Sequence, residues 1–284
     1  MIVPWQKPFR GTPINPAHPM ARGLAAAYPF NEATGEVVHN YITHAVAPVD
    51  VVAGGWAPGG LYLDGAEHHV QVQDTSIPAS KTMRAGMEFT VFVWADLSIS
   101  SVSSATHAVM TSRTSGPAGG WACKAKQYGS SYVGFTYRGV ADYVFNQIAA
   151  QSGRHIYSWR VKDGDYCTLR MDGTQQTISI GSCDLTNTPT GLSVGCWYVI
   201  NDKGDQLTDD RTPGVYNVAY FWDRLLTDDE MDLLYRDPYC MFRQPPDIGA
   251  FEYAEEGGSG PKWNTITPAK WNGVDWGNLK WNGM

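Results

Sequence analysis

The sequence lacks the features that would place it in a membrane, on nucleic acid or among the common hydrolases. No run approaches the roughly 20 apolar residues of a bilayer span, and residues 1–10 carry no apolar signal core, so export by a signal peptide of its own is not expected. Positive charge is scarce. With 21 Lys and Arg against 28 Asp and Glu the net charge is -7, which argues against nucleic acid as the main partner, because phosphate neutralisation needs a basic surface. The five cysteines, Cys123, Cys167, Cys183, Cys196 and Cys240, are scattered and have no C-x-x-C spacing. That excludes a familiar zinc motif or an obligatory disulfide framework and predicts buried reduced thiols; the alternative is one late-formed disulfide in a protein that ends outside the cell. Gly191-Leu192-Ser193-Val194-Gly195 has the G-x-S-x-G spacing but falls in a stretch that reads as a strand rather than a strand-to-helix elbow, and no H-E-x-x-H or glycine-rich phosphate loop occurs.

What is abundant points to strands. Aromatics make up 12% of residues, with 11 Trp, beside 30 Gly and 17 Pro, a composition suited to many short strands joined by tight turns. The stretch 216–243 organises the rest. Val215, Asn217, Ala219 and Phe221 alternate with Tyr216, Val218, Tyr220 and Trp222, the period-2 pattern of a strand buried on both faces. Thr227 and Glu230 then form a capping box, with Leu226 and Met231 placed as a hydrophobic staple and Asp228 and Asp229 at the positive helix end. A short helix carrying Met231, Leu234 and Tyr235 on one side should stop by Asp237, ahead of Pro238.

Taken from the start, the prolines at 4, 8, 13, 16 and 19 predict an extended arm over residues 1–20, packed on its own domain or on a neighbouring subunit. A first strand follows over 23–30. Strands over 61–63 and 69–73 flank Asp64-Gly65, which predicts a hairpin there. Residues 88–96 alternate with both faces apolar, Phe89, Val91 and Val93 against Phe92 and Trp94, so this strand should lie mid-sheet with its outer face covered or lining a groove. Further strands are predicted over 106–111, 121–126, 132–137, 155–161, 166–171, 175–180 and 192–195, with a hairpin turn at Met171-Asp172-Gly173-Thr174. With no room for a crossover helix, the fold class is all-β, a two-sheet antiparallel sandwich with one short helix after its last strand. The domain expectation is an arm (1–20), a sandwich (21–253), a glycine-rich linker (254–261) and a tail (262–284).

That tail repeats Lys-Trp-Asn at 262–264, 270–272 and 280–282. Trp263, Trp271, Trp276 and Trp281 cannot build an independent core at that length, so they are expected to anchor on a partner, or else on the sandwich itself.

Several segments resemble the concanavalin A-like, laminin-G-like jelly roll, in the subgroup common among bacteriophage virion proteins. They are His18-Pro19-Met20-Ala21-Arg22-Gly23-Leu24 leading to Tyr28-Pro29-Phe30-Asn31-Glu32; Gly60-Leu61-Tyr62-Leu63-Asp64-Gly65; Phe89-Thr90-Val91-Phe92-Val93-Trp94; Leu169-Arg170-Met171-Asp172-Gly173; and Asp223-Arg224-Leu225-Leu226-Thr227-Asp228-Asp229-Glu230 through to Pro238. Their order and spacing span roughly residues 18–243. Such proteins often carry an Asp-x-Ser-Gly-Asn-Gly-like loop that in some relatives helps hold calcium. Here the corresponding segment is His39-Asn40-Tyr41-Ile42-Thr43-His44, which lacks the carboxylate and glycine, so no cofactor is expected. Asp202 and Asp205 are weak alternative calcium ligands in a loop better read as a solvated turn.

The jelly roll hosts glucanases, sugar-binding modules and inert structural domains alike. In glucanases of this kind an E-x-D-x-x-E strand supplies the carboxylates, whereas the one E-x-D here is Glu230-Met231-Asp232, inside the capped helix and followed by Tyr235, so catalysis is not expected. Sugar binding needs aromatic rings beside polar groups, and Trp121, Tyr128, Tyr132, Tyr137, Arg138, Trp197, Tyr198 and Asn201 are the candidates at strand ends and loops, with core packing as the competing role of each ring. The resemblance implies a non-enzymatic virion protein. Its partners would be other capsid or tail proteins, met through arm and tail, with a homo-oligomer and a host surface glycan as further partners. A capsid decoration protein comes first and a tail- or fibre-associated adhesin second, with a glycan hydrolase a distant third.

Overall fold

The computed structural model describes residues 7–242 apart from 36, 45, 49–54, 65–71, 102–104, 113–118, 186–190, 201–205 and 210. In chain order the strands are β1 (Leu24–Tyr28), β2 (Val37–His39), β3 (Val46–Pro48), β4 (Gly55–Ala57), β5 (Gly60–Leu63), β6 (Val72–Asp74), β7 (Glu88–Leu97), β8 (His107–Ser112), β9 (Trp121–Lys126), β10 (Tyr132–Tyr137), β11 (Ala141–Ala149), β12 (Gly153–Lys162), β13 (Tyr166–Met171), β14 (Thr174–Ser179), β15 (Leu192–Val194), β16 (Trp197–Ile200), β17 (Gln206–Asp209) and β18 (Gly214–Trp222). A single helical turn, α1 (Ala79–Thr82), precedes β7, and α2 (Asp228–Arg236) follows β18.

Two antiparallel sheets pack face to face as a jelly-roll-like sandwich, the expected class. The larger runs β14-β13-β12-β7-β18, and beyond β18 the edge is shared by β5 with β4 at one end and by β1 at the other. The smaller runs β11-β10-β9-β8-β15-β6. Phe89, Val91 and Val93 of β7 point into the core between the sheets, while Phe92 and Trp94 join a second apolar cluster on the outer face. That outer face is covered, as the double-sided pattern requires. Met231, Leu234 and Tyr235 of α2 lie on it, as do Cys240, Met241 and Phe242 of a closing 3-10 turn and Met20 from the arm. Burying apolar side chains at about 25 cal/mol per Å² makes these two layers the main source of stability.

The helix start follows the sequence closely. Thr227 Oγ1 accepts from the Glu230 N–H at 3.2 Å, Glu230 Oε2 accepts from the Thr227 N–H at 2.8 Å, and Asp237 closes the helix. Arg224 adds a two-pronged contact to Glu230 at 2.6 and 2.8 Å and donates to Arg22 O, tying the helix start to the arm. Partial burial pushes the Glu230 carboxyl up, but the bonds from Arg224 and from the Thr227 N–H outweigh it and hold the group below its ordinary value. A depressed carboxylate contributes stability above its unfolded pKa of about 4.3 and loses that contribution as pH falls through the folded value. Melting temperature should therefore drop steeply below roughly pH 4.5, and Glu230→Gln should flatten the drop; equal slopes would remove Glu230 from the account.

Two expectations need correction. Asp64-Gly65 does not join a hairpin: β5 pairs with β4 across Pro58-Gly59 and with β18, whereas β6 belongs to the other sheet beside β15. Alternation on both sides of Asp-Gly gave the local signal, and the inter-sheet core overrode it, because Leu61 and Leu63 pack into the core while Val72 pairs with Val194. Gly60 is fixed by this arrangement, since a Cβ there would meet Tyr216 O at 2.0 Å. Strands β2, β3, β4, β16 and β17 were also absent from the expectation, as was β11, where Asp142, Asn146 and Gln147 dilute the pattern because it is an edge strand with half its residues exposed.

The arm docks on its own domain. The Asn15 N–H donates to Met241 O at 2.8 Å, Asn31 Nδ2 to Pro8 O at 3.0 Å, and Lys7 Nζ to Gly59 O at 2.8 Å. The predicted hairpin at 171–174 is present, with Asp172 in the left-handed region at φ 52°. All five cysteines are free, four of them buried.

Candidate functional site

The outer side of the smaller sheet carries a cluster of polar side chains, several of them buried. On β10, Val133, Phe135 and Tyr137 enter the core, so Tyr132, Gly134 and Thr136 face outward, and Arg138 continues the series where its N–H donates to Gly120 O. Cross-strand neighbours share a face, which sets Lys124 of β9 and Val144 of β11 beside Gly134, and Ala122 and Asp142 beside Thr136. Lys124, Thr136, Arg138 and Asp142 line a cleft of about 370 Å³ at the β10–β11 turn. Thr136 Oγ1 donates to Asp142 Oδ1 at 2.5 Å. Gln127 lies across Gly134, where any Cβ would collide with it, and its amide nitrogen is buried without a partner among the described residues. At the opposite end of β10 stand the two exposed rings, Tyr132 and Tyr128, with 38% and 62% of their surface open. Six residues at about 3.3 Å each put roughly 20 Å between Tyr132 and Arg138. Gly134, Thr136 and Lys124 between these ends are buried, the last two with 5% and 3% of their surface open, so the rings and the cleft are two separate openings, one suited to stacking and the other to hydrogen bonds.

The structure treats the proposed sugar-binding residues unequally. Tyr128, Tyr132 and Arg138 are on this surface. Trp121 is not available to a ligand: it is fully buried, stacks on Phe89 at 4.8 Å and on Phe221 at 5.6 Å, and donates its indole N–H to Thr82 O. Tyr137 is likewise a core ring, edge-on to Phe135 at 4.9 Å, and its burial pushes the phenol well up. Both sit at inward positions of their strands, a parity that fixing the core face would have revealed. Trp197 and Tyr198 belong to β16, opposite Asp209 and Thr208 of β17, and Asn201, Asp202 and Asp205 lie outside the described residues, as do Trp263, Trp271, Trp276 and Trp281. The residues that sequence reasoning missed are Lys124, Gln127, Thr136 and Asp142. Their only signal was the outward parity of β9 and β10, since polar residues alternating with core rings read as ordinary solvated positions. Among the described residues, no cluster of three or more His, Cys, Asp or Glu is placed to hold a metal ion.

No family model and no curated protein matches the sequence. The fold is similar to solved structures at low identity. The binding domain of botulinum neurotoxin DC, in complex with rat synaptotagmin II, aligns with TM-score 0.54 and 12% identity over 75% of this chain and 51% of that one. A botulinum neurotoxin type C structure, concerned with cell entry dependent on two ganglioside molecules, aligns with TM-score 0.51 and 10% identity over 76% and 52%. Trypanosoma rangeli sialidase in complex with sialic acid aligns with TM-score 0.52 and 14% identity over 80% and 36%. This chain thus spans about half the length of the toxin structures and about a third of the sialidase. The likeness is one of β-sandwich fold.

Proposed function

We propose that this protein is a glycan-binding, non-enzymatic component of a bacteriophage particle, most simply a decoration or accessory protein on its surface. The observation that carries the binding half is the outward row on β10 and its neighbours: an exposed Tyr132 ring at one end, and Lys124, Thr136, Arg138 and Asp142 around a cleft at the other. A sugar would stack on tyrosine at the one end, or exchange hydroxyl hydrogen bonds with Arg138 and Asp142 at the cleft. Asp142 is the one carboxylate on β9, β10 and β11, where a two-carboxylate hydrolysis needs a pair, and this supports binding over cleavage. The neighbours that engage gangliosides or sialic acid make surface glycans the first ligands to screen, and at their identity they transfer no residues. The phage half rests on the order and spacing of the segments quoted above and on the arm and Trp tail that flank the sandwich.

The test is a glycan array with the full chain, followed by Tyr132→Ala and Arg138→Ala. Each variant should weaken the best ligand about five- to tenfold, on the scale of about 1–1.4 kcal/mol for one stacking or hydrogen-bond contact, with melting temperature unchanged. Unaltered binding by both variants would move the site elsewhere. Release of shortened sugars from a bound polysaccharide would reverse the non-enzymatic reading. A second reading, a tail- or fibre-associated carbohydrate-binding adhesin, is favoured by the exposed Tyr128 and Tyr132 rings. Particle association of the full chain and of a chain ending at Tyr253 separates the two: loss of association on truncation makes the tail an anchor, and retention shifts weight to the sandwich as an adhesin.

A further inference from the structure

The arm encloses a second and larger cavity, over the outer face of the eight-stranded sheet. Its volume is about 630 Å³, within the range of small-molecule sites, and it lies between arm residues 10–16, the start of β1 and the turn 39–44. The gap is held open from both sides. The Asn15 N–H is fixed to Met241 O and the Gly11 N–H donates to Tyr41 Oη at 3.1 Å, so the arm is pinned at two points around the opening.

The lining sorts into two kinds of group. Pro13, Ile14, Leu24 and Ile42 give apolar walls, and every ionisable side chain of charge-bearing type at the cavity is basic: Arg10, Arg22, His39 and His44. No carboxylate lines it, in a chain whose net charge is -7. Arg10 Nη2 donates to His39 Nε2 at 3.4 Å with no acid between them, and among the described residues neither Arg10 nor Arg22 pairs with a carboxylate. Glu32 is the acid bound to this turn, and it accepts the His39 backbone N–H at 2.8 Å rather than lining the cavity. The remaining polar atoms are committed. Tyr41 Oη donates to Asn31 Oδ1 at 2.8 Å, and the fully buried Asn40 side chain serves the Ala27 and Ile42 N–H groups and Asp74. A neutral, hydroxyl-rich sugar would find few free partners here, whereas guanidinium groups match the planar or tetrahedral oxygens of an acid.

We propose that this cavity binds an organic anion with an apolar body, its carboxylate or phosphate held by Arg10, Arg22 and His39 and its hydrocarbon part against Pro13, Ile14, Leu24 and Ile42. The site is separate from the glycan surface and stands or falls without it.

Calorimetry on the full chain tests this, with octyl phosphate and octanoate below their micelle concentrations, octyl glucoside as the same tail with a neutral head, and inorganic phosphate as the head alone. Octyl phosphate and octanoate should bind. Octyl glucoside and inorganic phosphate should bind at least tenfold more weakly. The double variant Arg10→Gln/Arg22→Gln should lose at least tenfold for octyl phosphate with unchanged melting temperature, since both side chains are exposed, and Ile42→Trp, which fills the apolar end, should lose binding as well. Raising salt from 0.05 to 0.5 M should weaken binding, as for any partly exposed ion pair. Octyl glucoside binding as tightly as octyl phosphate, or an unaffected double variant, would overturn the proposal. Phosphatidylglycerol vesicles distinguish the source of the anion: association that the double variant abolishes assigns a lipid headgroup, and its absence assigns a free acid.

Discussion

Asp74→Ala is expected to cost about 3–5 kcal/mol of folding stability, as two fully buried donors lose their acceptor at about 1–3 kcal/mol each and the side chain leaves a small void. Asp74 sits at the end of β6 with 2% of its surface exposed. Its Oδ2 accepts from Tyr28 Oη at 2.6 Å and from Asn40 Nδ2 at 2.7 Å, and its Oδ1 accepts from the Ser76 N–H and hydroxyl at 2.8 and 2.5 Å. Burial pushes the Tyr28 phenol well up, with Asp74 adding to it, so Tyr28 remains a donor. Asn40 in turn accepts from Ala27 and Ile42, so one carboxyl joins β1, β6 and the turn that bears Tyr41. Equilibrium urea unfolding reads the loss directly. Asp74→Asn, which keeps one acceptor, should lose about half as much, and a loss below about 1 kcal/mol in Asp74→Ala would show that the network contributes little net stability.

Trp159→Ala should be comparably severe, about 3–5 kcal/mol, or a fall in melting temperature on the order of 10 °C for a domain of this size. Trp159 is fully buried on β12, stacks on Tyr157 at 5.8 Å, and donates its indole N–H across the sandwich to Gly134 O at 3.1 Å. That bond runs from the larger sheet to the strand that carries the proposed sugar-binding row. Trp159→Phe keeps the ring and loses the bond, so it should cost about 1–2 kcal/mol while lowering glycan affinity more than its stability loss predicts, if the contact fixes the height of β10. A Trp159→Phe chain with unchanged affinity would make the contact purely structural. Thermal melts of both variants, run beside the glycan titration, distinguish the two outcomes.

Elements with strong local signals were legible. The double-sided alternation of β7 and β18 reported a covered sheet, and Thr227 to Glu230 reported the start of α2, because capping and parity are settled within a few residues. The candidate site was legible only at its edges. Tyr132, Tyr128 and Arg138, candidates because an aromatic beside a basic residue at a strand end stands out, lie at the proposed surface. Trp121 and Tyr137 are of the same type, yet they point inward, and nothing in composition distinguishes an inward ring from an outward one until the core face is known.

By itself the sequence determined the class of fold, the position of its helix and the scattered placing of its cysteines. Each follows from local rules: proline geometry, period-2 alternation, capping chemistry and spacing. The tertiary structure alone decided that β5 and β6 part to different sheets across Asp64-Gly65, that Asp74 gathers Tyr28 and Asn40 from 46 and 34 residues away, and that Arg10 meets His39 beside a cavity. Those are long-range choices. They are made by which arrangement buries the most apolar surface while satisfying the polar groups left inside, and that balance is struck over the whole chain at once.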